Sequence, residues 1–331
     1  MKTIAVIGQG FVGGSLTTVF AERGTTVYSF DKAMKLAPGG NRVFVVKNNS
    51  PDKEDRFFTP SSISEFVRAV EAQSGFTKIY FVCVPTPMHE DGSADTTIVE
   101  SVLDEISACP AVESTYNRIA VIKSTVPPGS TQRWNSKYEK LGLSVVFNPE
   151  FLTEANALND MREQNRIILG GPRPHINRVK QLFQQAFPKV PIVKTGSTTA
   201  EMIKYLTNCH LAVKVAFANE VAQVCEALDA SGHNIDYDKV IEYAKFDKRL
   251  GDSHWSVPGP VPTEDGRYVR GFGGHCFPKD LNALINVAKE LGVEPSVMTA
   301  AWKKNLEVRA PEDRDWERQI GRAVSSRREK S

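Results

Sequence analysis

The sequence lacks a strong excess of charge of either sign and lacks any long hydrophobic run. Lys and Arg total 41 against 39 Asp and Glu, which gives a formal net charge of +2 over 331 residues. A balanced chain has no general electrostatic attraction for nucleic acid or for an anionic membrane, so any anion-binding site must be local. No apolar run approaches the length of a membrane span, and residues 1–7 enter a strand pattern without a signal region. We therefore expect a cytoplasmic protein with neither nucleic acid nor membrane as partner.

The sequence contains few cysteines, and no two of them stand close together in a motif. The five cysteines stand at positions 83, 109, 209, 225 and 276, without a CxxC pair or a metal-ligand spacing. This pattern is typical of a reducing compartment, so we expect neither a disulfide nor a metal site. With 41% hydrophobic and 24% charged residues, the chain has the composition of a globular protein that is long enough for two domains.

Apolar runs alternate with helical patterns through the first 195 residues. Such alternation predicts an α/β fold, here a Rossmann-like doubly wound parallel sheet over residues 1–197, with a polar loop at 33–60. Ligands bind these sheets beyond the carboxyl ends of the strands. The predicted strands cover residues 3–7, 26–30, 79–84, 119–123 and 144–147, with two more apolar runs in 165–195, and the predicted helices cover 12–23, 61–73 and 95–108.

A glycine-rich turn joins the first predicted strand to the first helix. Its GxGxxG pattern is followed, 18 residues after Gly13, by Asp31 at the end of the second strand. Gly8 permits the turn, Gly10 lets backbone N–H groups approach a pyrophosphate, and Gly13 lets helix and strand pack closely. An acidic residue at this spacing bonds a ribose and repels a 2′-phosphate, so the pattern favours NAD over NADP. The predicted cofactor contacts at this turn are Gly8, Gly10, Phe11, Val12, Gly13 and Asp31.

Polar side chains follow three of the later predicted strands, where a cofactor or substrate would lie. These tails are Pro85-Thr86-Pro87, Ser124-Thr125-Val126-Pro127 and the segment Asn148–Glu154. Proline and Ser/Thr residues also end strands and cap helices, so each tail has a purely structural alternative. The predicted cofactor contacts at these strand ends are Val84, Pro85, Thr86, Ser124, Thr125 and Glu154.

A helical pattern runs from residue 198 to about residue 230 and predicts one long helix between two domains. Thr198 and Glu201 have the spacing of a capping box at its start. At its expected length of about 50 Å the helix can join two domains and support a homodimer. Lys204 and Asn208 share one helix face, either as a solvated stripe or as the wall of a site. We expect a mainly helical domain at 233–310 and a solvated, charged tail at 311–331.

The segment Gly271–Asp280 places Cys276 among glycines, with Lys279 and Asp280 downstream. Glycines allow close approach to the thiol, and nearby polar groups favour its ionisation. The segment therefore predicts a nucleophilic cysteine. The alternative is a glycine-rich turn around a buried, inert thiol.

Together these motifs resemble the UDP-glucose/GDP-mannose dehydrogenase family. The resemblance covers roughly residues 1–305, and Phe277–Asp280 is closest to the UDP-glucose branch. Its most specific parts are Lys123–Pro127, Asn148–Glu154, Lys204-Tyr205-x-x-Asn208, Phe217-x-Asn219-Glu220 and Gly273–Asp280.

The resemblance implies a four-electron oxidation of UDP-glucose to UDP-glucuronate with NAD. Cys276 would trap the intermediate aldehyde as a thiohemiacetal, and the second oxidation would give a thioester. Lys204 and Asn208 would stabilise the oxyanion that forms at the sixth carbon of the sugar.

The same resemblance assigns the remaining site residues. Asp280 and Thr125 would hold the hydrolytic water, with Glu150 as a candidate base. Arg249 matches an arginine that, in the family, often reaches the nucleotide sugar across a subunit boundary. The implied substrate contacts are Phe151, Leu152, Lys204, Asn208, Arg249, Phe272 and Gly273.

Three features depart from the family pattern. His275 replaces a usually small residue, residues 252–268 lengthen the segment before the cysteine, and no strand–glycine–helix pattern follows Gly292. We therefore expect a short form without the family's C-terminal UDP-binding domain. The alternatives are a dehydrogenase of another nucleotide sugar, a β-hydroxyacid dehydrogenase that needs no cysteine, and a non-catalytic NAD-binding partner subunit.

Overall fold

The computed structural model describes residues 3–32, 60–73, 77–110, 118–263 and 265–325. The chain forms two compact units. The first consists of residues up to Thr86 together with Thr96–Lys204, and the second consists of Pro87–Asp95 together with the residues from Tyr205 onward. The loop predicted at 33–60 lies outside the described residues except for Pro60, so its prediction stays open.

The first unit is built on a seven-stranded sheet, which confirms the predicted Rossmann-like α/β fold. The strand order is β2-β1-β3-β4-β5-β6-β7, and neighbouring strands run parallel except for the antiparallel pair β5 and β6. All residues of β3, β4 and β5 are buried, because helices cover both faces of the sheet. The strands are β1 Thr3–Ile7, β2 Thr26–Phe30, β3 Lys78–Val82, β4 Arg118–Ile122, β5 Leu143–Phe147, β6 Ile167–Gly170 and β7 Ile192–Thr195.

Each face of the sheet has its own apolar core, as the twofold alternation of side chains along a strand requires. Ala5 and Ile7 of β1 face one core, whereas Ile4 and Val6 face the other. Helices α2, α3 and α4 cover the first face, and α1, α5 and α6 cover the second. The six helices are α1 Phe11–Glu22, α2 Ile63–Glu71, α3 Thr97–Ala108, α4 Ser130–Tyr138, α5 Ala157–Arg162 and α6 Arg173–Ala186.

The long helix predicted from residue 198 is present as α7 Ser197–Ala230. It begins in the first unit, and the division between the units falls at Lys204 and Tyr205. The capping-box interpretation of Glu201 is wrong. The carboxylate of Glu201 accepts hydrogen bonds from the backbone N–H groups of Gly129 at 2.6 Å and Thr131 at 2.8 Å. Glu201 therefore caps the beginning of α4, a helix that the sequence analysis did not predict.

The second unit is mainly helical, as predicted. Its core combines α7 residues from Tyr205 onward with Phe272 and the buried faces of α9 and α10. Helix α9 begins at Phe277, directly after Cys276. The helices are α8 Tyr237–Ala244, α9 Phe277–Glu290 and α10 Ser296–Val308.

The prediction of a solvated tail is wrong for residues 311–325. Trp316 is completely buried and packs with Met88, Ala323 and Val324. The backbone N–H of Met88 donates to the carbonyl of Ala323 at 2.8 Å, and Ser325 donates back to the carbonyl of Met88 at 2.9 Å. The segment is rich in charged residues, but the buried side chain of Trp316 holds it against Met88. Residues 326–331 lie outside the described part of the chain.

No helix within the described residues is long and apolar enough to cross a membrane.

Candidate active site

The glycine turn after β1 has the geometry that a dinucleotide requires. Gly8 has a φ of +91°, and a Cβ there would lie 2.4 Å from the carbonyl oxygen of Cys83. A Cβ on Gly13 would lie 1.8 Å from the carbonyl oxygen of Gly8. By contrast, a Cβ on Gly10 would meet nothing within 4 Å, so the space before the first turn of α1 is open. Backbone at positions 8 and 13 therefore needs glycine, and an anion has access to the helix start.

The acidic residue of this motif lies where the sequence predicts it. Asp31 follows β2, and its Oδ2 accepts a hydrogen bond from the backbone N–H of Gln9 at 2.5 Å. The carboxylate is thereby held beside the glycine turn, while Phe11 and Val12 open α1. A carboxylate at this position accepts ribose hydroxyls and repels a 2′-phosphate, so the residues present fit NAD.

Two strand tails of the first unit are tied together by their hydroxyl side chains. Thr86 Oγ1 donates to the carbonyl of Thr125 at 2.8 Å, and Ser124 Oγ donates to the carbonyl of Val84 at 2.6 Å. The hydroxyls of Thr86 and Ser124 therefore both have a structural role, which was the alternative to a cofactor contact. Pro85 is exposed between them. Cofactor contacts by these tails stay predictions.

Lys204 and Glu150 form a buried ion pair in the first unit. Lys204 Nζ lies 3.0 Å from Glu150 Oε1, and the two side chains are 4% and 8% exposed. The other carboxylate oxygen of Glu150 accepts the backbone N–H of Leu152 at 2.7 Å. The ammonium of Lys204 also lies 5.6 Å from the centre of the Phe151 ring. The pair thus brings together two segments that the sequence marked separately, Asn148–Glu154 and the start of α7, and it gives Glu150 a partner that the sequence did not predict.

A second buried lysine lies at the end of β4 and was not predicted as a site residue. Lys123 Nζ donates to Asn148 Oδ1 at 3.0 Å and to the carbonyl of Pro149 at 3.4 Å. Burial lowers the pKa of Lys123 to about 8. Burial also raises the pKa of the nearby Cys83 thiol to about 12, which makes that cysteine inert. The available signal for Lys123 was a lysine directly after the four consecutive apolar residues 119–122 of β4.

Lys123 and residues 149–153 border a polar cavity within the first unit. Its volume is about 320 Å³. Arg166 lies at its edge, with its guanidinium 4.0 Å from the centre of the Phe151 ring. Glu154 is exposed and begins a short 3₁₀ turn, Glu154–Asn156. The cavity is lined by Lys123, Pro149, Glu150, Phe151, Leu152, Thr153, Asp160, Met161, Glu163, Gln164, Asn165 and Arg166.

In the second unit, Cys276 occupies the N-cap position of α9 and is half-buried. The N-terminus of a helix carries a partial positive charge, which stabilises a thiolate over a thiol. The glycine loop before it is buried at Gly271 and Phe272. This position is compatible with a reactive thiol, and the nucleophilic role of Cys276 and the inert alternative both stay predictions.

Asp280, in the first turn of α9, is almost completely buried and has both carboxylate oxygens engaged. Its Oδ2 accepts Asn208 Nδ2 at 2.6 Å, and its Oδ1 accepts Lys279 Nζ at 2.5 Å. Asp280 therefore orients the Asn208 amide, which the sequence assigned to oxyanion stabilisation. Lys279 was not predicted as a site residue. Burial, followed by the charge of Asp280, raises the pKa of the neighbouring Cys209 thiol.

The remaining predicted substrate residues of the second unit have structural partners. Phe272 is buried with its ring centre 6.2 Å from that of Trp302, and its backbone N–H and carbonyl both bond Asn305. Gly273 lies beside Arg309. Arg249 is exposed and pairs with Asp247. The structure gives all three a local role, and their substrate contacts stay predictions.

Comparisons with known proteins match this arrangement. Residues 2–187 match the NAD binding domain of the UDP-glucose/GDP-mannose dehydrogenase family, and residues 198–307 match its central domain. The chain belongs to the UDP-glucose/GDP-mannose dehydrogenase family. NAD is therefore its cofactor.

Two curated relatives and one solved structure illustrate the similarity to other members of this family. The chain is 33% identical over 305 residues to the putative UDP-glucose 6-dehydrogenase YtcA of Bacillus subtilis, covering 90% of this chain and 66% of YtcA. It is 32% identical to the UDP-glucose 6-dehydrogenase TuaD of the same organism, covering 92% of this chain and 63% of TuaD. The structure of a UDP-glucose dehydrogenase from Pyrobaculum islandicum superposes with a TM-score of 0.70 at 28% identity, over 92% of this chain and 68% of that one.

The chain thus spans about two thirds of the length of these two curated relatives. Arg309, Asp313, Asp315 and Trp316 lie beyond residue 307, where the family's central domain ends. The segment 311–325, which is anchored by the buried Trp316, therefore lies outside the residues that match the two family domains.

Proposed function

We propose that this protein oxidises the primary alcohol of a UDP-sugar, with UDP-glucose as substrate and UDP-glucuronate as product. The observation that carries the proposal is the half-buried Cys276 at the beginning of the 14-residue helix α9. A dehydrogenase that stops at a ketone needs no thiol, whereas oxidation to a carboxylate must hold an aldehyde between two steps. Gly8, Gly10 and Asp31 would hold NAD, which accepts the hydride in each oxidation.

In the proposed reaction, Cys276 attacks the aldehyde carbon as a thiolate and forms a thiohemiacetal. The second oxidation converts this adduct into a thioester, and water then releases the carboxylate product. The ammonium of Lys204 and the amide of Asn208 stabilise the negative charge on the reacting oxygen. Both groups are held by buried carboxylates, Glu150 and Asp280 respectively, so little reorganisation is needed when charge develops.

The proposed hydrolysis assigns the water to Asp280 and Thr125, with Glu150 as the base. Glu150 Oε1 lies 3.0 Å from Lys204 Nζ, so a base at Glu150 would act directly beside that ammonium. The proposal therefore treats Glu150 and Lys204 as one acid–base unit rather than as two independent residues.

An anaerobic assay with NAD and a panel of nucleotide sugars tests this proposal. We expect two NADH for each UDP-glucuronate formed, and no sugar acid from Cys276→Ser. Cys225→Ser is the matched control, because Cys225 is a buried thiol elsewhere in the same unit. Absence of NADH with every sugar, or activity indifferent to Cys276→Ser, would refute the proposed reaction.

We also propose a cytoplasmic homodimer that assembles through α7. Five apolar side chains of this helix are exposed in the isolated chain, and the most exposed are Leu206 at 60%, Phe217 at 57% and Val224 at 54%. Burial of such residues favours association. Light scattering of the purified protein should give twice the mass of one chain, and Phe217→Asp should give the single-chain mass.

A further inference from the structure

The glycine loop before Cys276 is held by side chains that follow it by more than 30 residues. Asn305 of α10 accepts the backbone N–H of Phe272 at 2.7 Å and donates to its carbonyl at 3.0 Å. Gly271 has a φ of +71°, and a Cβ there would lie 2.4 Å from Asn305 Oδ1. The first half of the loop is therefore fixed by one buried amide.

The second half of the loop is held by Asp315. Its Oδ2 accepts the backbone N–H of Gly274 at 2.8 Å, and its Oδ1 accepts Arg309 Nη2 at 3.0 Å. A Cβ added to Gly273 would lie 2.3 Å from Asp315 Oδ1 and 2.5 Å from Arg309 Nη2. The carboxylate and the guanidinium thus occupy the space that any side chain at position 273 would need.

Asp315 is itself held in place by Arg309 and by the adjacent residue Trp316. Arg309 is 7% exposed, and its Nε and Nη1 donate to the carbonyls of Asp313 at 2.8 Å and Arg270 at 3.3 Å. The next residue, Trp316, is completely buried with its ring centre 5.7 Å from that of Trp302. The carboxylate of Asp315 is therefore held by Arg309 and directed at the backbone two residues before the thiol.

We propose that Asp315 is a positioning residue that, with Arg309, sets the backbone of Gly273 and Gly274 and thereby the orientation of the Cys276 thiol. This inference rests on the proposed role of Cys276 as the nucleophile. A carboxylate at the N–H of Gly274 fixes the last turn of chain before α9, so its loss frees the residue that delivers the thiol.

The first test measures the thiol directly and needs no substrate. Cys276 is alkylated with iodoacetamide between pH 6 and 9.5, and its modified peptide is quantified by mass spectrometry. We expect the alkylation rate of Cys276 in Asp315→Ala to change by roughly tenfold, the size expected when one hydrogen bond to a charged group is lost. Glu317→Ala is the matched control, since it removes another carboxylate from the same 3₁₀ turn. The Glu317 carboxylate makes only a long ion pair, 3.9 Å from Arg314.

Asp315→Asn and Gly273→Ala separate positioning from simple stabilisation. Asparagine keeps an acceptor for the Gly274 N–H, so we expect it to retain most of the native alkylation profile. Gly273→Ala displaces the same carboxylate sterically, and its effect on the alkylation rate should not add to that of Asp315→Ala. If Asp315 only stabilised the fold, Asp315→Ala would lower the melting temperature while leaving the pH profile of the folded protein unchanged, and the inference would be overturned.

The second test uses turnover with UDP-glucose and NAD. We expect Asp315→Ala to lower kcat on the order of 10- to 100-fold with little change in the KM for NAD, because a misplaced nucleophile impairs chemistry more than cofactor binding. If Asp315→Ala raises the KM for NAD by as large a factor as it lowers kcat, the positioning role of Asp315 is contradicted. If no sugar is oxidised at all, the proposed function fails, while the alkylation experiment still decides the role of Asp315.

Discussion

Within the described residues, each unit contains a buried lysine–carboxylate pair, and the two pairs are built differently. Lys204 and Glu150 of the first unit are 54 residues apart in sequence and meet only because the sheet brings the segment after β5 to the start of α7. Lys279 and Asp280 of the second unit are sequence neighbours in the first turn of α9. The long-range pair depends on the tertiary structure, whereas the local pair needs only a helix.

The second partner of each carboxylate also differs. Glu150 receives a backbone N–H from Leu152, two residues away. Asp280 receives the side-chain amide of Asn208, 72 residues away. Glu150 thus holds the lysine of its own pair, whereas Asp280 holds both Lys279 and the amide of Asn208 on α7. In each unit a buried carboxylate fixes the position of a hydrogen-bond donor.

The largest effect is expected from breaking the long-range pair. Lys204→Ala removes the ammonium and leaves Glu150 buried without its cation, which costs about 3–5 kcal/mol of folding free energy. We also expect kcat to fall on the order of 10²–10³-fold, with NAD affinity nearly unchanged. Urea unfolding, steady-state kinetics and calorimetry measure these quantities.

Two further variants make the Lys204 result decisive. Adding Glu150→Gln to Lys204→Ala should restore much of the stability but none of the activity, because it removes the unpaired charge without replacing the ammonium. Lys137→Ala breaks an exposed ion pair with Asp104 and should change stability far less, because solvent screens such a pair. Equal losses of turnover and NAD affinity in Lys204→Ala would count against its proposed role.

A smaller effect is expected in the second unit from Asp280→Asn. Asparagine retains an oxygen for Asn208 but removes the negative charge beside Lys279, whose side chain is 11% exposed. We expect kcat to fall on the order of 10- to 100-fold, since the Asn208 amide is less well oriented. Asp265→Asn, at an exposed pair with Arg267, is the control. A full loss of activity equal to that of Cys276→Ser would show that Asp280 does more than orient Asn208.

The smallest effect concerns Lys123, a buried lysine whose hydrogen-bond acceptors are neutral oxygens. Its pKa is lowered by burial to about 8 from 10.5. Between these values the unfolded chain binds more protons at this residue than the folded chain, so stability rises with pH through that window. Relative to Lys123→Met, the native protein should gain up to about 3 kcal/mol between pH 8 and pH 10.5.

Urea unfolding of both proteins at several pH values measures this gain for Lys123. Parallel stability curves for the native protein and Lys123→Met would contradict the assignment. The same experiment on Lys137→Ala should show no such window, because Lys137 is exposed.

Much of the first unit could be predicted from sequence, because its strands are short apolar runs and its glycines are demanded by local geometry. Helix α4 was missed since only Trp134 and Tyr138 mark its apolar face in the sequence, although Ser130 and Thr131 are also buried. Glu201 was misassigned for a related reason. Its spacing fits a cap on its own helix, but the fold places the N-terminus of α4 within its reach.

The sequence by itself determined the alternation of strands and helices, the dinucleotide turn with Asp31, and the glycine loop that ends at Cys276. These features follow from periodicity and backbone conformation, which act over a few residues. Only the tertiary structure decided that Glu150 meets Lys204, that Asp280 holds Asn208, and that Asp315 reaches back to Gly274. Such partners lie more than 40 residues apart, and their pairing depends on how the buried elements pack rather than on any local pattern.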